Sequence, residues 1–332
     1  MGDYLGKTFV CRAPNNFAIE RKTWNYFPNF QTTLIKSKVV GICNSDFSRL
    51  FNGTSYRYPI TPGHEILGVV EESSCNEKLL TDSLVYVFPL LPCKSCENCK
   101  KQDYNLCSHY SYLGSRQDGA LSTYFEVPNW NIRPLPYDLP LKLLPMIEPL
   151  SVVFHGFAKI KGAGTSLLIT GSGFLSYASL CVAKYLNFKN VRILSTSKSN
   201  SDIYEGFSFV EEIDSDLDFD CCIDFSGNFN LLNLATTLLL PKSTIVSLAN
   251  SREDTFLDVE ARNQIIRKEL RYLGSWNSTF SKQMDDWQEA ITFIASRPTF
   301  AYPVKEIMLE DLPNYLNSIS PNFPRERIHV RF

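Results

Sequence analysis

Residues 166–194 restrict the folds open to this chain more than any other segment. SLLIT (166–170) is a compact apolar run of strand length, and Gly171-Ser172-Gly173 follows at once. Residues 175–186 then carry an apolar helical pattern, and VRIL (191–194) reads as a second strand. Strand, glycine turn, helix, strand is the βαβ opening of a doubly wound parallel sheet. FDCCIDF (219–225) and TIVSLA (244–249) continue the alternation, with a helical stretch between them. This part of the chain is expected to be α/β, with helices on both faces of the sheet.

The residues before it have another texture. KTFVCRA, FAIERKTW and TTLIKSKVVGIC alternate as short strands, and the pattern stays β-rich and turn-punctuated to about 135 (GVVEES, SLVYVFPLLP, ALSTYFEVP). An antiparallel, barrel-like domain is expected there. The texture changes near Leu144, and residues 146–161 suit a helix. At 332 residues the chain exceeds one ordinary core. The expected division is 1–150, 151–280, and a segment 281–332 that returns to the first domain, with a helix at 286–295 and a final strand in RIHVRF. No internal repeat interrupts this order.

Composition narrows the partners. With 33 Lys and Arg against 35 Asp and Glu, the formal net charge is −2, so the electrostatic footprint of a nucleic-acid or anionic-membrane binder is missing. No apolar run has the length of a membrane span. MGDYLGKTFV lacks a signal-peptide core and has Gly6 where the myristoylation pattern needs a hydroxyl, so a cytoplasmic enzyme is the expectation. Ten cysteines in such a chain do not imply disulfides. Cys11, Cys75, Cys181, Cys221 and Cys222 are scattered and read as small buried hydrophobes.

The remaining cysteines carry chemistry. PCKSCENCKKQDYNLC sets Cys93, Cys96, Cys99 and Cys107 at spacings of x2, x2 and x7. Four thiolates this close can close a tetrahedron around zinc, a structural site with no open position. An iron–sulfur cluster prefers a final spacing of about three followed by proline. A redox Cys-x-x-Cys would not explain four cysteines. Elsewhere, YPITPGHEILGVV (58–70) sets His64 and Glu65 between two prolines and a strand-like run, with Cys43 upstream in GICNSDF and Glu148 downstream in IEPLSVVFHG. Cys, His and Glu are ligand types that bind zinc and leave a position open for chemistry. Taken singly, His64 reads as a structural histidine, Ser45 as a turn residue and Glu148 as a helix N-terminal acid.

In this order the motifs resemble those of the zinc-dependent medium-chain dehydrogenases. RYPITPGHE, FPLLPC, YLGSRQDGALSTY and IIRKELRYLGSW look like the polyol and sugar-phosphate branch of the galactitol-1-phosphate 5-dehydrogenase type. The resemblance runs over essentially the whole chain. It implies a GroES-like β-barrel catalytic domain, a Rossmann cofactor domain, and a homodimer or homotetramer. It further implies that Cys43 and His64 bind the catalytic zinc. Glu65 and Glu148 would complete the site, one binding directly and the other directly or through water. Ser45 matches a hydroxyl that relays the substrate proton, and His155 reads as a packing residue of its helix.

Gly171 and Gly173, with Phe174 and Leu175, form the turn in which a dinucleotide pyrophosphate approaches a helix N-terminus. Ser176 replaces the third glycine of that fingerprint. The acid that binds ribose hydroxyls is expected about twenty residues on. This chain has Ser195, Thr196, Ser197 and Lys198 there, which favours NADP(H) over NAD(H), although Lys198 also reads as plain surface charge. Asp202 would restore NAD binding only if the loop folds back. Arg49 and Arg116 are candidates for a substrate phosphate, and each also reads as surface arginine. Trp276 and Asn277 match pocket positions of related polyol enzymes, and Trp276 equally suits a domain interface. The expected activity is hydride transfer between a nicotinamide and a sugar or polyol, phosphorylated by this reading. An unphosphorylated-polyol or alcohol dehydrogenase and a repurposed, non-catalytic member of the fold are the alternatives.

Overall fold

The structure, a computed structural model, describes residues 2–27, 31–73, 80–136, 138–196, 201–204, 208–209, 218–251, 256–319 and 324–332. Two compact units emerge, Met1–Glu148 with Pro303–Phe332, and Pro149–Tyr302.

In the first unit, seven strands share one sheet in the order Val304–Met308, Arg327–Arg331, Thr32–Ile42, Glu65–Ser73, Leu84–Val87 and Ile132–Pro134, with Tyr124–Pro128 also paired to Thr32–Ile42. All pairings are antiparallel except that of the first two strands. Thr32–Ile42 is the hub. Irregular register at Leu34/Ile35 and Ser37/Val39 bends it, as β-bulges do in curved sheets. Its buried Ile35, Val40 and Ile42 meet Ile66 and Val70 from one neighbour and Ile328 and Val330 from another. Each such side chain contributes about 1.5–3 kcal/mol on leaving water. A separate hairpin, Gly2–Ala13 with Asn16–Tyr26, adds Phe9 and Cys11 to the same core.

The second unit is a six-stranded, wholly parallel sheet in the order Ser208–Phe209, Asn190–Leu194, Ser166–Thr170, Phe219–Asp224, Leu239–Ser247 and Arg271–Gly274. The first strand in sequence sits centrally, and the winding reverses between it and Phe219–Asp224. Ligands of such sheets bind at that crevice. Leu168, Leu194, Phe219, Cys222 and Ile245 form one face of its core, which is why the strands read as near-continuous apolar runs. The chain returns to the first unit at Pro303, beyond the position 281 expected from texture. Helix Asp286–Ala295 belongs to the second unit because Asp286 is held there: Oδ2 accepts from the Thr279 backbone N–H at 2.8 Å and lies 2.9 Å from His155 Nδ1. His155 is thus a buried structural partner. Among the described residues no helix is long and apolar enough to cross a membrane.

The cysteine lobe follows strand Leu90–Leu91. The sulfurs of Cys93, Cys96, Cys99 and Cys107 all lie within 4.8 Å of one another. Cys93 and Cys99 are 4.0 Å apart, and Cys96 and Cys107 3.9 Å. Disulfide sulfurs would sit at about 2.05 Å. A tetrahedron of ~2.3 Å zinc–sulfur bonds has edges of about 3.8 Å, so the spacing is that of a tetrathiolate zinc site. Hydrogen bonds from Ser95 and backbone N–H groups bring the Cys93 thiol down to about 5, which favours the ligating thiolate. Replacing Cys99 with Ser is expected to lower bound zinc by about one ion per chain and to expose the other three thiols to a thiol reagent. Unchanged zinc content would refute the assignment.

Candidate active site

Strand register assembles the second metal-ligand group. Thr32–Ile42 pairs with Glu65–Ser73 so that Gly41 faces Glu65. Cys43 follows the first strand and His64 precedes the second, which brings thiol, imidazole and carboxylate to one end of the pair. Gly41 is required by close approach: a Cβ there would stand 2.0 Å from Glu65 Oε2. The ligand atoms of Cys43, His64 and Glu65 lie within 4.8 Å of one another.

A ring of charged groups holds them. Cys43 is the N-cap of helix Asn44–Phe51, and its backbone N–H donates to Asp46 Oδ2 at 3.1 Å. The same oxygen lies 3.4 Å from His64 Nδ1. Burial is the largest single influence and disfavours ionising either partner. Their mutual charge and hydrogen bond, with Arg49 and the Cys43 N–H added for Asp46 and Cys43 for His64, together outweigh it, so Asp46 is lowered and His64 raised. Arg49 Nη1 donates to Asp46 Oδ1 at 3.0 Å and to Ser45 Oγ at 3.1 Å. Glu65 Oε2 accepts from Arg327 Nη2 in a buried ion pair. Glu148 Oε1 accepts from the Tyr112 hydroxyl at 3.1 Å, and its backbone N–H donates to the Tyr86 hydroxyl at 3.0 Å. Burial, reinforced by the Glu65 carboxylate, pushes Glu148 up to about 7. The ring of Tyr112 meets that of His64 edge-on, with centroids 5.8 Å apart.

The donor set fits a divalent cation. Glu65 Oε2 is engaged by Arg327, but Oε1 is buried with no hydrogen-bond partner among the described residues, a costly state that a metal bond would relieve. Thiolate, imidazole and carboxylate are the ligands zinc takes in open sites. Cys43 is only partly buried, so the group is reachable. Glu148 stands outside the three-residue group, held by Tyr112.

In the other unit, Gly171 ends strand Ser166–Thr170 with φ +93°, a conformation that favours glycine. Gly173 caps helix Phe174–Tyr185, and a Cβ on it would meet nothing within 4 Å, which leaves the approach to the helix N-terminus open. Phe174 and Leu175 form the first turn of that helix. Tyr204 donates its hydroxyl to the Gly173 carbonyl at 2.8 Å, and Ser195 Oγ bonds Ser172 Oγ at 3.0 Å. At the crevice, buried Asp224 accepts from Ser226 Oγ at 2.7 Å, Ser247 Oγ at 2.6 Å and Thr170 Oγ1. The arrangement fits a dinucleotide. Thr196 is exposed, whereas Ser197 and Lys198 lie outside the described residues.

Arg49, expected to reach substrate, is instead mostly buried against Asp46. Arg116 is exposed, its guanidinium carbon 4.3 Å from the ring centroid of Tyr56 and 4.4 Å from that of Tyr110. Trp276 is half-exposed, and Asn277, with φ +56°, accepts the Ser278 backbone N–H at 2.8 Å. Asp46, Tyr112 and Arg327 were missed in the sequence. Asp46 had a signal, an acid at the third helical position after Cys43, and Arg327 had none.

Comparison with known proteins agrees with this geometry. Residues 30–137 match the alcohol dehydrogenase GroES-like domain. The chain is 28% identical over 287 residues to galactitol 1-phosphate 5-dehydrogenase of Escherichia coli (strain K12), covering 81% of this chain and 83% of that protein. It is 24% identical over 305 residues to a sorbitol dehydrogenase of Halalkalibacterium halodurans, covering 84% of each. The crystal structure of galactitol-1-phosphate dehydrogenase from Escherichia coli superposes with a TM-score of 0.90 at 24% identity, covering 98% of this chain and 100% of that one. The barrel with its Cys, His and Glu cluster, the four-cysteine lobe and the doubly wound sheet thus occur together in a chain that is similar, over about four-fifths of its length, to the zinc-containing, NAD(P)-dependent medium-chain alcohol and polyol dehydrogenases.

Proposed function

We propose that this protein interconverts a polyol carrying a terminal phosphate and the corresponding keto sugar, with zinc at Cys43, His64 and Glu65 and with NADP(H) as the hydride carrier. The observation that carries the reading is the Cys43–His64–Glu65 group with its unpartnered Glu65 Oε1. Bound zinc there would polarise the carbon–oxygen bond that a nicotinamide oxidises or reduces. The protein's own groups do the rest. Arg327 holds one oxygen of Glu65, which keeps the other aimed at the metal. Tyr112 holds Glu148 in reserve as a ligand that binds directly or through water. Ser45 Oγ accepts from Arg49, so its own hydrogen is free to serve as the proton relay. Replacing Cys43 with Ala is expected to lower turnover by roughly a thousandfold while the lobe keeps its zinc. Wild-type-like turnover in that variant would end the mechanism.

The phosphate is assigned to Arg116. Stacking between Tyr56 and Tyr110 restrains the guanidinium, and Nη2 donates to the Tyr110 hydroxyl at 3.4 Å. No carboxylate of the described residues pairs with it, unlike Arg57, which holds Asp118. Its backbone N–H donates to the Tyr112 carbonyl at 3.0 Å, which ties it to the residue that touches both His64 and Glu148. The terminal phosphate of galactitol 1-phosphate, the compound in the name of the Escherichia coli relative, has the chemistry this subsite suits. Arg116→Ala should raise KM for a keto-sugar phosphate about 10- to 100-fold and leave the free sugar unaffected. Equal effects on both substrates would return the reading to an unphosphorylated polyol.

Cofactor choice rests on residues 195–196, where two hydroxyls stand and no carboxylate repels a 2′-phosphate. NADPH should bind more tightly than NADH by fluorescence titration, and Ser195→Asp should reverse the order. A wild-type preference for NADH would overturn this choice, and binding of neither would favour the non-catalytic alternative.

A further inference from the structure

Ser176 stands where the dinucleotide fingerprint has its third glycine. The residue is 1% exposed, and Oγ is buried without a hydrogen-bond partner among the described residues. It lies 3.4 Å from the position that a Cβ on Gly171 would take, so the hydroxyl faces the turn. That turn opens onto helix Phe174–Tyr185, whose first backbone N–H groups lack intrahelical partners and favour an anion. Other hydroxyls of the neighbourhood are satisfied: Ser172 bonds Ser195, Thr170 bonds Asp224, and Ser226 bonds Asp224.

In the protein alone the Ser176 hydroxyl costs stability, because a buried donor without a partner loses its water and gains nothing. Alanine would fit the same space and is the better helix former. Packing and helix propensity therefore both argue against serine here, and a ligand in the turn reverses the balance. Ser179, also buried with an unpartnered Oγ, lies one turn further along the helix and makes the control.

We propose that Ser176 is a cofactor-binding residue, its hydroxyl donating to the diphosphate of a bound nicotinamide dinucleotide, directly or through one water held in the turn. The inference rests on residues 171–175 being the dinucleotide site. It requires opposite effects on the free and the loaded protein. Ser176→Ala should leave the melting temperature of the cofactor-free protein unchanged or higher, yet weaken NADPH and ADP-ribose about tenfold in fluorescence and thermal-shift titrations. AMP, which has no diphosphate, should bind both proteins equally, and Ser179→Ala should bind NADPH as wild type does. Equal NADPH affinity in wild type and Ser176→Ala would overturn this assignment alone. Failure of the wild type to bind any dinucleotide would overturn the reading of the turn, and this assignment with it. A fall in the melting temperature of the cofactor-free Ser176→Ala protein with NADPH affinity retained would make Ser176 a packing residue.

Discussion

The metal-site unit depends on one cross-strand placement, Glu65 directly opposite Gly41. A slip of one residue would send every side chain of Glu65–Ser73 to the other face, exchanging core for surface. The apolar run after Glu65 therefore fixes the carboxylate's position as a by-product of burying Ile66 and Val70. Gly41 supplies the room and Arg327 the direction. A buried ion pair of this kind adds little net stability, because desolvating both charges offsets most of their attraction, whereas losing one partner costs about 3–5 kcal/mol. Its effect is orientation: Oε2 is committed to Arg327 and Oε1 is left for a metal.

Local charge tells the same story from another side. Cys43, Asp46, Glu65 and Glu148 can all be anionic, and Arg49 and Arg327 are the guanidinium cations that meet them. Asp46 and Cys43 raise His64 against the cost of its burial, and Glu148 is raised first by burial and then by the Glu65 carboxylate. A divalent cation would offset the surplus of anionic groups. Beyond Arg327 the field has the opposite sign. His329, opposite Gly41 on the other neighbouring strand, is brought down to about 3 by burial and by that guanidinium, and so stays neutral.

Residues close to one another in sequence were legible in advance. The cysteine lobe lies within one loop, and strand Ser166–Thr170 with its glycine turn and helix obeys local periodicity. Cys43, His64 and Glu65 were found because ligand chemistry restricts residue type. Their supports were not found, because Arg327 joins Glu65 across 262 positions through sheet pairing that no local pattern encodes. The end of the second unit was misjudged for a similar reason. The helix at 286–295 has an ordinary amphipathic sequence, and long-range contacts, Asp286 with His155 and Phe293 with Phe154 and Tyr185, assign it to the parallel sheet's unit.

Arg49 and Arg116 show how environment sets apart two residues of one type. Both could be named as phosphate candidates from sequence, and the guanidinium chemistry is identical. Arg49 lies one helical turn from Asp46, so its charge is neutralised where it stands and its hydrogen bonds order Ser45 and the Cys43 cap. Arg116 meets tyrosine faces instead, which attract a cation without neutralising it. A guanidinium restrained by rings keeps its charge and would lose little rotamer freedom on meeting an anion. Ser176 and Ser45 divide in the same way. The hydroxyl of Ser45 has a donor on its oxygen and a hydrogen to give, whereas that of Ser176 is buried without a partner among the described residues.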